Sequence, residues 1–132
     1  MADATSEDTG AVPDGPMALH CFVKRREDLS HEEFLDYWRN HHGPLIRDTP
    51  ELARWTKRYV QHAAHPKDSS GYDGVAVQEF ASWDDFIAMI SGPAGELMRN
   101  DEANFLSQKD IAVVFTTDPV VMIDAPAAGE DA

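Results

Sequence analysis

Both ends of one helix are marked in the segment from Ser30 to Pro44, which fixes an element near the start of this 132-residue chain. Ser30 and Glu33 form the S-x-x-E pattern of a capping box, in which the serine oxygen accepts a backbone N–H and the glutamate reaches back to the cap. Pro44 lacks a backbone donor and disfavours the helical conformation at Gly43. The sequence therefore predicts a helix that stops near His42, followed by a separate short turn that begins at Pro44.

One face of this helix combines aromatic rings with histidine. At about 100° per residue, Phe34, Leu35, Trp38 and His42 fall on one apolar stripe, and His41 lies at its edge. An imidazole in apolar surroundings can still exchange a proton near neutral pH, so this face is a candidate for acid–base chemistry. The alternative is that both histidines are structural. The end of a helix favours a charged imidazole whereas burial favours a neutral one, so the charge of His42 stays open.

Alternating and β-branched segments predict four strands, over residues 17–24, 54–62, 75–81 and 111–115. In the first strand, His20 and Phe22 share one side. In the second strand, strict alternation places Tyr59 and Gln61 on one side and Thr56 on the other.

A second helical region is predicted after the third strand. Ser82 and Asp85 have the spacing of a helix cap, and Gly92-Pro93 interrupts the helix before a further piece over residues 94–106. The element order β-α-β-β-α-β is the split arrangement of α+β ferredoxin-like folds with an antiparallel sheet. The strands are apolar or aromatic on both sides, so a sheet face without helices would expose a large patch. The sequence therefore predicts a homodimer in which a second copy covers that face.

Composition divides the chain into one domain and two tails. Residues 1–16 and 124–132 are acidic or small and polar, and we expect both to be disordered around a single domain of residues 17–123. Within this domain, residues 120–123 are a candidate edge extension of the last strand, because Pro119 has no donor for a strand ladder.

Charge and hydropathy exclude several classes of partner. A formal net charge of −13 without a basic stripe disfavours nucleic acid and anionic membrane as partners. The sequence has no signal segment and no apolar run long enough to span a membrane, so we expect a cytoplasmic protein. Cys21 is the only cysteine, which rules out an intrachain disulfide and fits a packed, unreactive thiol.

Known cofactor and metal motifs do not occur in the sequence. His41 and His42 project about 100° apart on a helix and cannot easily share an ion, and there is no H-E-x-x-H or cysteine pattern. No glycine-rich phosphate loop follows the first strand, and no G-x-S-x-G is present. Metal binding, nucleotide use and serine hydrolysis are therefore disfavoured.

A series of motifs occurs in order over about residues 17–123: Val23-Lys24-Arg25-Arg26, Leu29-Ser30-His31-Glu32-Glu33-Phe34, Tyr37-Trp38-Arg39-x-x-His42-x-Pro44-Leu45, Arg58-Tyr59-Val60-Gln61, Tyr72-Asp73-Gly74-Val75, Phe80 and Asp101-Glu102-x-x-Phe105. Together they resemble the EthD-domain family of dimeric α/β-barrel proteins. The resemblance implies that two ferredoxin-like subunits join their sheets into a barrel with a small-molecule cavity, without an organic cofactor or a metal. It places the family's histidine at His42 and its aromatic pair at Tyr37 and Trp38.

A cofactor-free site acting on an enolisable or phenolic ligand needs a proton acceptor, a donor for the developing oxyanion and flat surfaces for stacking. The predicted catalytic residues are His42 and His41. The predicted substrate-binding residues are Tyr37, Trp38, His20, Phe22, Tyr59, Gln61 and Phe105.

Three functions fit these residues. The leading hypothesis is a cofactor-independent enzyme of dehydratase, cyclase or isomerase type that acts on an aromatic or polyketide-like ligand through His42. The second is a non-catalytic ligand-binding protein that supports a degradative oxygenase. The third is an EthD-like oxidoreductase, either a cofactor-free oxygenase or one that binds haem through a histidine.

Overall fold

The computed structural model describes residues 15–128, which form four strands and two helical regions. The strands are β1 (Met17–Val23), β2 (Thr56–Ala63), β3 (Gly74–Phe80) and β4 (Ala112–Thr117). The helical elements are α1 (His31–Tyr37), a π-helical turn (Trp38–His42), α2 (Gly43–Asp48), α3 (Pro50–Ala53), α4 (Trp83–Ser91) and α5 (Pro93–Glu102). In this part of the chain, no helix is both long and apolar enough to cross a membrane. Residues 1–14 and 129–132 of the predicted tails lie outside the described residues, and both tails stay predictions.

The four strands form one sheet in the order β2-β3-β1-β4, and all neighbouring strands are antiparallel. β1 lies in the middle, so that Cys21 is opposite Ala76 of β3 and Val113 of β4. This order and the helices between the strands confirm the predicted α+β, ferredoxin-like fold.

The core lies between the helices and one face of the sheet, and it has two clusters of buried side chains. The first cluster contains Met17, Ile46, Leu52, Phe80, Phe86, Met89 and Met98. The second cluster contains Val23, Phe34, Trp38, Phe105 and Leu106. Burial of each large apolar side chain contributes about 1.5–3 kcal/mol, so these clusters anchor both helical regions to the sheet.

The first helical region begins as predicted and ends later than predicted. Ser30 Oγ accepts the Glu33 N–H at 3.1 Å and Glu33 Oε1 accepts the Ser30 N–H at 2.8 Å, which confirms the capping box. The predicted stop near His42 is wrong, because the chain continues through the π-helical turn into α2. Gly43 keeps helical angles (φ −57°, ψ −52°), and its N–H donates to the carbonyl of Trp38, five residues earlier. Glycine has no Cβ to clash with the following proline ring, which allows this path.

The predicted alternation of the second strand is wrong at its start. Thr56 is opposite Phe80 and Arg58 is opposite Glu79, so one extra residue, Lys57, forms a β-bulge. Thr56 therefore points to the same side as Tyr59, towards the helices. There its hydroxyl donates to the carbonyl of Leu52 at 3.1 Å.

Two further boundaries differ from the predictions. Ser82 caps α4 as predicted by accepting the Asp85 N–H at 3.1 Å, and α5 starts at Pro93, one residue before the predicted start at position 94. However, α5 ends at Glu102, four residues before the predicted end at position 106. The proposed edge extension at residues 120–123 is wrong, since β4 ends at Thr117 and no strand follows in the described residues.

Alternation along β1 assigns the two faces of the sheet. Leu19 and Cys21 pack against the core clusters, so His20 and Phe22 point to the face without helices. Residues directly opposite each other share a face, which adds other apolar side chains to this open face. They include Val75, Val77 and Val114.

A buried carboxylate ties the start of β3 to the first helix. Asp73 is 2 % exposed and accepts hydrogen bonds from the Arg25 backbone N–H at 2.8 Å and from its guanidinium at 2.6 Å. His31 Nδ1 lies 2.7 Å from the same carboxylate. These partners compensate its burial, and they hold the pKa of Asp73 below its usual range although burial alone would raise it.

Candidate functional site

His42 lies in the interior, as the apolar stripe predicts. It is the last residue of the π-helical turn and is 5 % exposed. Its ring packs 4.8 Å from the ring of Phe105, centroid to centroid. A π-helical turn changes the direction of the side chains that follow it, and such turns are frequent at functional sites.

A hydrogen-bond network fixes the orientation of the His42 ring. Its Nδ1 lies 2.8 Å from Asp101 Oδ2. Tyr37 donates its hydroxyl proton to Asp101 Oδ1 at 2.6 Å, and the Asn104 amide donates to Tyr37 and to Asp101 at 3.2 Å each. The carboxylate therefore has three different side chains as donors.

The directions of the pKa shifts indicate which groups of this network are charged. Burial lowers the pKa of His42, and the opposing effect of Asp101 is smaller, so the imidazole is neutral at neutral pH. Burial alone would raise the pKa of Asp101, but the hydrogen bonds from Tyr37, His42 and Asn104 bring it below its usual range. Asp101 is therefore ionised and accepts the Nδ1–H of His42, which leaves Nε2 as the basic nitrogen.

The other aromatic residues predicted for the site differ in exposure, and of these only Phe105 packs on the imidazole. Trp38 and Phe105 are 1 % and 0 % exposed, so their rings pack in the core and offer no surface to a ligand in this conformation. Tyr37 packs 5.1 Å from Phe105, and on its other side it stacks 4.8 Å from His41. His41 is exposed, unlike its neighbour His42, and its predicted catalytic role stays a prediction.

A cavity of about 430 Å³ lies beside the π-helical turn, between the helix and the edge strand β2. Tyr59, Gln61 and Gly43 line it, and His42 is not among its lining residues. The Gln61 amide donates to the carbonyl of Trp38 at 2.8 Å and to the Tyr59 hydroxyl at 3.0 Å. A Cβ on Gly43 would lie 2.9 Å from that amide nitrogen and 3.2 Å from the Trp38 carbonyl oxygen, so a larger residue there would push the Gln61 side chain aside. Four cations also line the cavity: Arg39, Arg47, Lys57 and Arg58.

A second group of titratable side chains, each half-buried, lies between the sheet and α5. Burial raises the pKa of Glu102 to about 7, with a smaller opposing effect of Arg99. Burial also raises the pKa of Cys21 to about 11 and that of Tyr59 to about 12, and the charge of Glu102 adds to both shifts. Cys21 and Tyr59 are therefore protonated at neutral pH, whereas Glu102 exchanges a proton in this range.

The structure separates His20 and Phe22 from this site. Both lie on the open face of the sheet, on the side opposite to His42. The Nε2 atom of His20 lies 2.9 Å from the Thr116 hydroxyl oxygen. The His20 side chain also lines another cavity of about 440 Å³, together with Val77 and Glu79. The predicted site residues therefore belong to two faces of the sheet.

Sequence reasoning missed three residues of the site: Asp101, Glu102 and Asn104. The only signal for them is the Asp101-Glu102-x-x-Phe105 motif, which is weak by itself. Among residues 15–128, no three His, Cys, Asp or Glu side chains come together in a way that could hold a metal ion.

The fold and the site define a small ferredoxin-like α+β protein with a buried histidine–aspartate pair. The EthD domain model matches residues 26–109, and the chain therefore belongs to the EthD-domain family. No curated protein matches the sequence.

Several solved structures share the fold at low sequence identity. An EthD family protein from Bacillus halodurans C-125 has a TM-score of 0.62 at 15 % identity, and the match covers 79 % of this chain and 99 % of that one. Hydroxynitrile lyase from Passiflora edulis has a TM-score of 0.63 at 16 % identity, and the match covers 84 % of this chain and 100 % of that one. A dimeric protein of unknown function with a ferredoxin-like fold from Bacteroides fragilis NCTC 9343 has a TM-score of 0.61 at 18 % identity. This match covers 79 % of this chain and 97 % of that one.

Proposed function

We propose that this EthD-family chain is a cofactor-independent enzyme that transfers a proton on a small ligand, with His42 as the acid–base group. The observation that carries the proposal is a buried, neutral imidazole whose Nδ1–H is held by the ionised Asp101. A neutral imidazole held in one tautomer is a ready proton acceptor, and the neighbouring carboxylate stabilises the imidazolium that forms.

The ligand class follows from the cavity. Its volume of about 430 Å³ suits a small organic molecule. The cations along its wall favour an anionic or oxygen-rich ligand. The Tyr59 hydroxyl accepts from the Gln61 amide and keeps its own proton to donate to a developing oxyanion, so Gln61 acts by orienting Tyr59. An aromatic or polyketide-like ligand with enol or phenol oxygens has this character. The proposed reaction type is dehydratase, cyclase or isomerase, since each moves a proton on such a ligand.

The assembly belongs to the same proposal. The open face of the sheet carries Phe22 and three valines beside the polar His20 and Glu79, an apolar area that a second copy would cover. The Bacteroides fragilis protein of the same fold is dimeric. We therefore expect a homodimer that joins the two open faces.

One observation favours a second candidate function. Since His42 does not line the 430 Å³ cavity, a ligand can occupy the cavity without touching the imidazole. A non-catalytic ligand-binding protein that supports a degradative oxygenase would need no more than this.

Deuterium exchange separates the two functions without knowledge of the final product. The purified protein is incubated in D₂O with a panel of enolisable aromatic β-diketones, and ¹H NMR follows the loss of the acidic C–H signal. The similarity to a hydroxynitrile lyase adds mandelonitrile to the panel, with benzaldehyde release followed by ultraviolet absorbance. The enzyme proposal predicts exchange or cleavage well above the buffer rate for at least one compound.

Variants of the two adjacent histidines provide the matched comparison. His42→Ala should lower the rate by about 10²–10⁴-fold, the usual contribution of a general base. His41→Ala removes an exposed ring of the same chemistry and should keep the rate within a few fold. Wild-type protein that binds a ligand and shows no exchange or cleavage would favour the accessory function, and equal rates in both variants would contradict the role of His42.

A further inference from the structure

Basic side chains gather around one cavity of a strongly acidic protein. The chain has 11 lysine and arginine residues against 24 acidic ones, and four of the 11 line the cavity of about 430 Å³: Arg39, Arg47, Lys57 and Arg58. No aspartate or glutamate is among the described residues that line it. Like charges around one cavity repel each other, and an anionic ligand removes that repulsion, so the cluster indicates a ligand of negative charge.

Two of these four cations are already paired with carboxylates of the protein. Arg47 lies 2.8 Å from Asp48, and Arg58 lies 3.7 Å from Glu79. In the part of the chain that the structure describes, neither Arg39 nor Lys57 forms an ion pair. Two positive charges at the cavity are therefore left for a ligand.

A backbone irregularity carries each of the two unpaired cations. Arg39 belongs to the π-helical turn, and Lys57 is the extra residue of the β-bulge between Thr56 and Arg58. Both kinds of irregularity change the direction of side chains, and both are frequent beside functional sites. One lies on the helical wall of the cavity and the other on the strand wall, so the two cations approach the same opening from opposite sides.

The cavity changes from charged at its rim to apolar inside. All four cations are exposed, whereas Ile46 is buried and Tyr59 is half-buried. Pro44 and Ala53 add apolar surface to the wall. A ligand that suits this gradient has an anionic group at one end and an apolar body at the other, because a charge that entered the apolar part would lose its hydration.

We propose that the ligand of this cavity is an aromatic anion, whose carboxylate or phosphate group lies between Arg39 and Lys57 while its ring points towards Tyr59. Guanidinium and ammonium groups bind both kinds of anion through charge-assisted hydrogen bonds. The two cations fix which end of the ligand reaches Tyr59, so they determine substrate specificity. This inference rests on the proposed function, in which the same cavity is the ligand site.

The first test compares three probes with the same ring by isothermal titration calorimetry: naphthoate, its neutral amide and naphthyl phosphate. At low salt, wild type should bind at least one of the two anions about 10-fold more tightly than the amide. The anion that binds more tightly identifies the group that the cavity selects. Salt at about 1 M should remove most of this preference, because it shortens the Debye length to about 3 Å. Equal affinity for all three probes would overturn the inference.

Methionine variants remove each charge and keep most of the side-chain stem. Arg39→Met and Lys57→Met should each weaken binding of the preferred anion about 5-fold and leave binding of the amide unchanged, which also shows that the cavity is still folded. Lys57→Arg keeps the charge and should keep the preference. Lys67→Met is the matched control, because Lys67 is exposed on the loop between β2 and β3 and does not line the cavity. An equal loss of anion affinity in Lys67→Met would indicate a general charge effect and would overturn the inference.

The outcomes distinguish this inference from the enzyme proposal. His42→Ala should keep the preference for the anion, since His42 does not line the cavity. A wild type that prefers the anion but exchanges no proton on any compound would support the inference and contradict the enzyme proposal. Proton exchange together with equal affinity for the three probes would do the reverse. A wild type that binds none of the probes would overturn the inference and would also contradict the cavity as the ligand site.

Discussion

Glu102 should make the stability of this protein fall as the pH rises, and Glu102→Gln should remove that fall. Burial raises the pKa of Glu102 from 4.5 to about 7 in the folded state. The folded state therefore binds more protons than the unfolded state between these two values, so the stabilising effect is complete below 4.5 and is lost as the pH rises through 7. The pKa difference corresponds to about 3 kcal/mol at 25 °C.

Urea denaturation at pH 4.5 and pH 8 measures this effect as a difference between wild type and variant. Glutamine mimics the neutral carboxyl group, so Glu102→Gln should be more stable than wild type by about 3 kcal/mol at pH 8, and the two proteins should be about equal at pH 4.5. All other titrating groups are common to both proteins and cancel. Glu96→Gln on the exposed side of the same helix should change stability by less than about 0.5 kcal/mol at either pH.

The result that would refute this reasoning is a stability difference that does not depend on pH. It would mean that the Glu102 carboxyl stays hydrated in the folded protein and that its partial burial between the sheet and α5 does not raise its pKa.

Three other predictions concern the site and the first helix. Gly74→Ala should destabilise the protein by about 2 kcal/mol or more in urea denaturation, because the new Cβ would lie 2.5 Å from the carbonyl oxygen of His62. The control variant Gly92→Ala meets no atom within 4 Å and should be near neutral. Equal destabilisation by the two variants would contradict the close packing at Gly74. Asp101→Asn should lower the pKa of His42 further, since the carboxylate is what supports the imidazolium, and an NMR titration showing an unchanged or higher pKa would be against the network. Burial lowers the pKa of His42 below 6.5, so the unfolded state takes up this proton at a higher pH than the folded state does. Wild type should therefore lose stability relative to His42→Gln as the pH falls through 6.5. A wild type that instead gains stability relative to the variant as the pH falls would contradict this sign.

The elements that depend on neighbouring residues were predictable from the sequence. The capping box of Ser30 and Glu33 and the cap at Ser82 involve partners three residues apart, and both form as predicted. The order of strands and helices follows from periodicity, which is also local. The β-bulge at Lys57 and the continuation of the helix through Gly43 were not predictable, since both depend on contacts with distant strands, such as the bond between Gln61 and the carbonyl of Trp38.

The candidate site was only partly visible for the same reason. Helical periodicity places His42 in the interior, and it is buried there. Its partner Asp101 is 59 residues away in the sequence, and no local pattern brings the two together. Alternation correctly puts His20 and Phe22 on one side of β1, but it does not say which side the helices cover. That depends on the packing of the whole chain.

The π-helical turn behaves as one extra residue inserted into a helix that otherwise follows the α-helical repeat. Each residue of an α-helix advances the direction of the side chain by about 100°. Deleting Asn40 should therefore restore a regular helix and swing the imidazole at position 42 about a quarter of a turn away from Asp101. An insertion or deletion of a single codon at this point is thus a short evolutionary route by which a protein of this shape gains or loses its oriented base while its sheet stays the same.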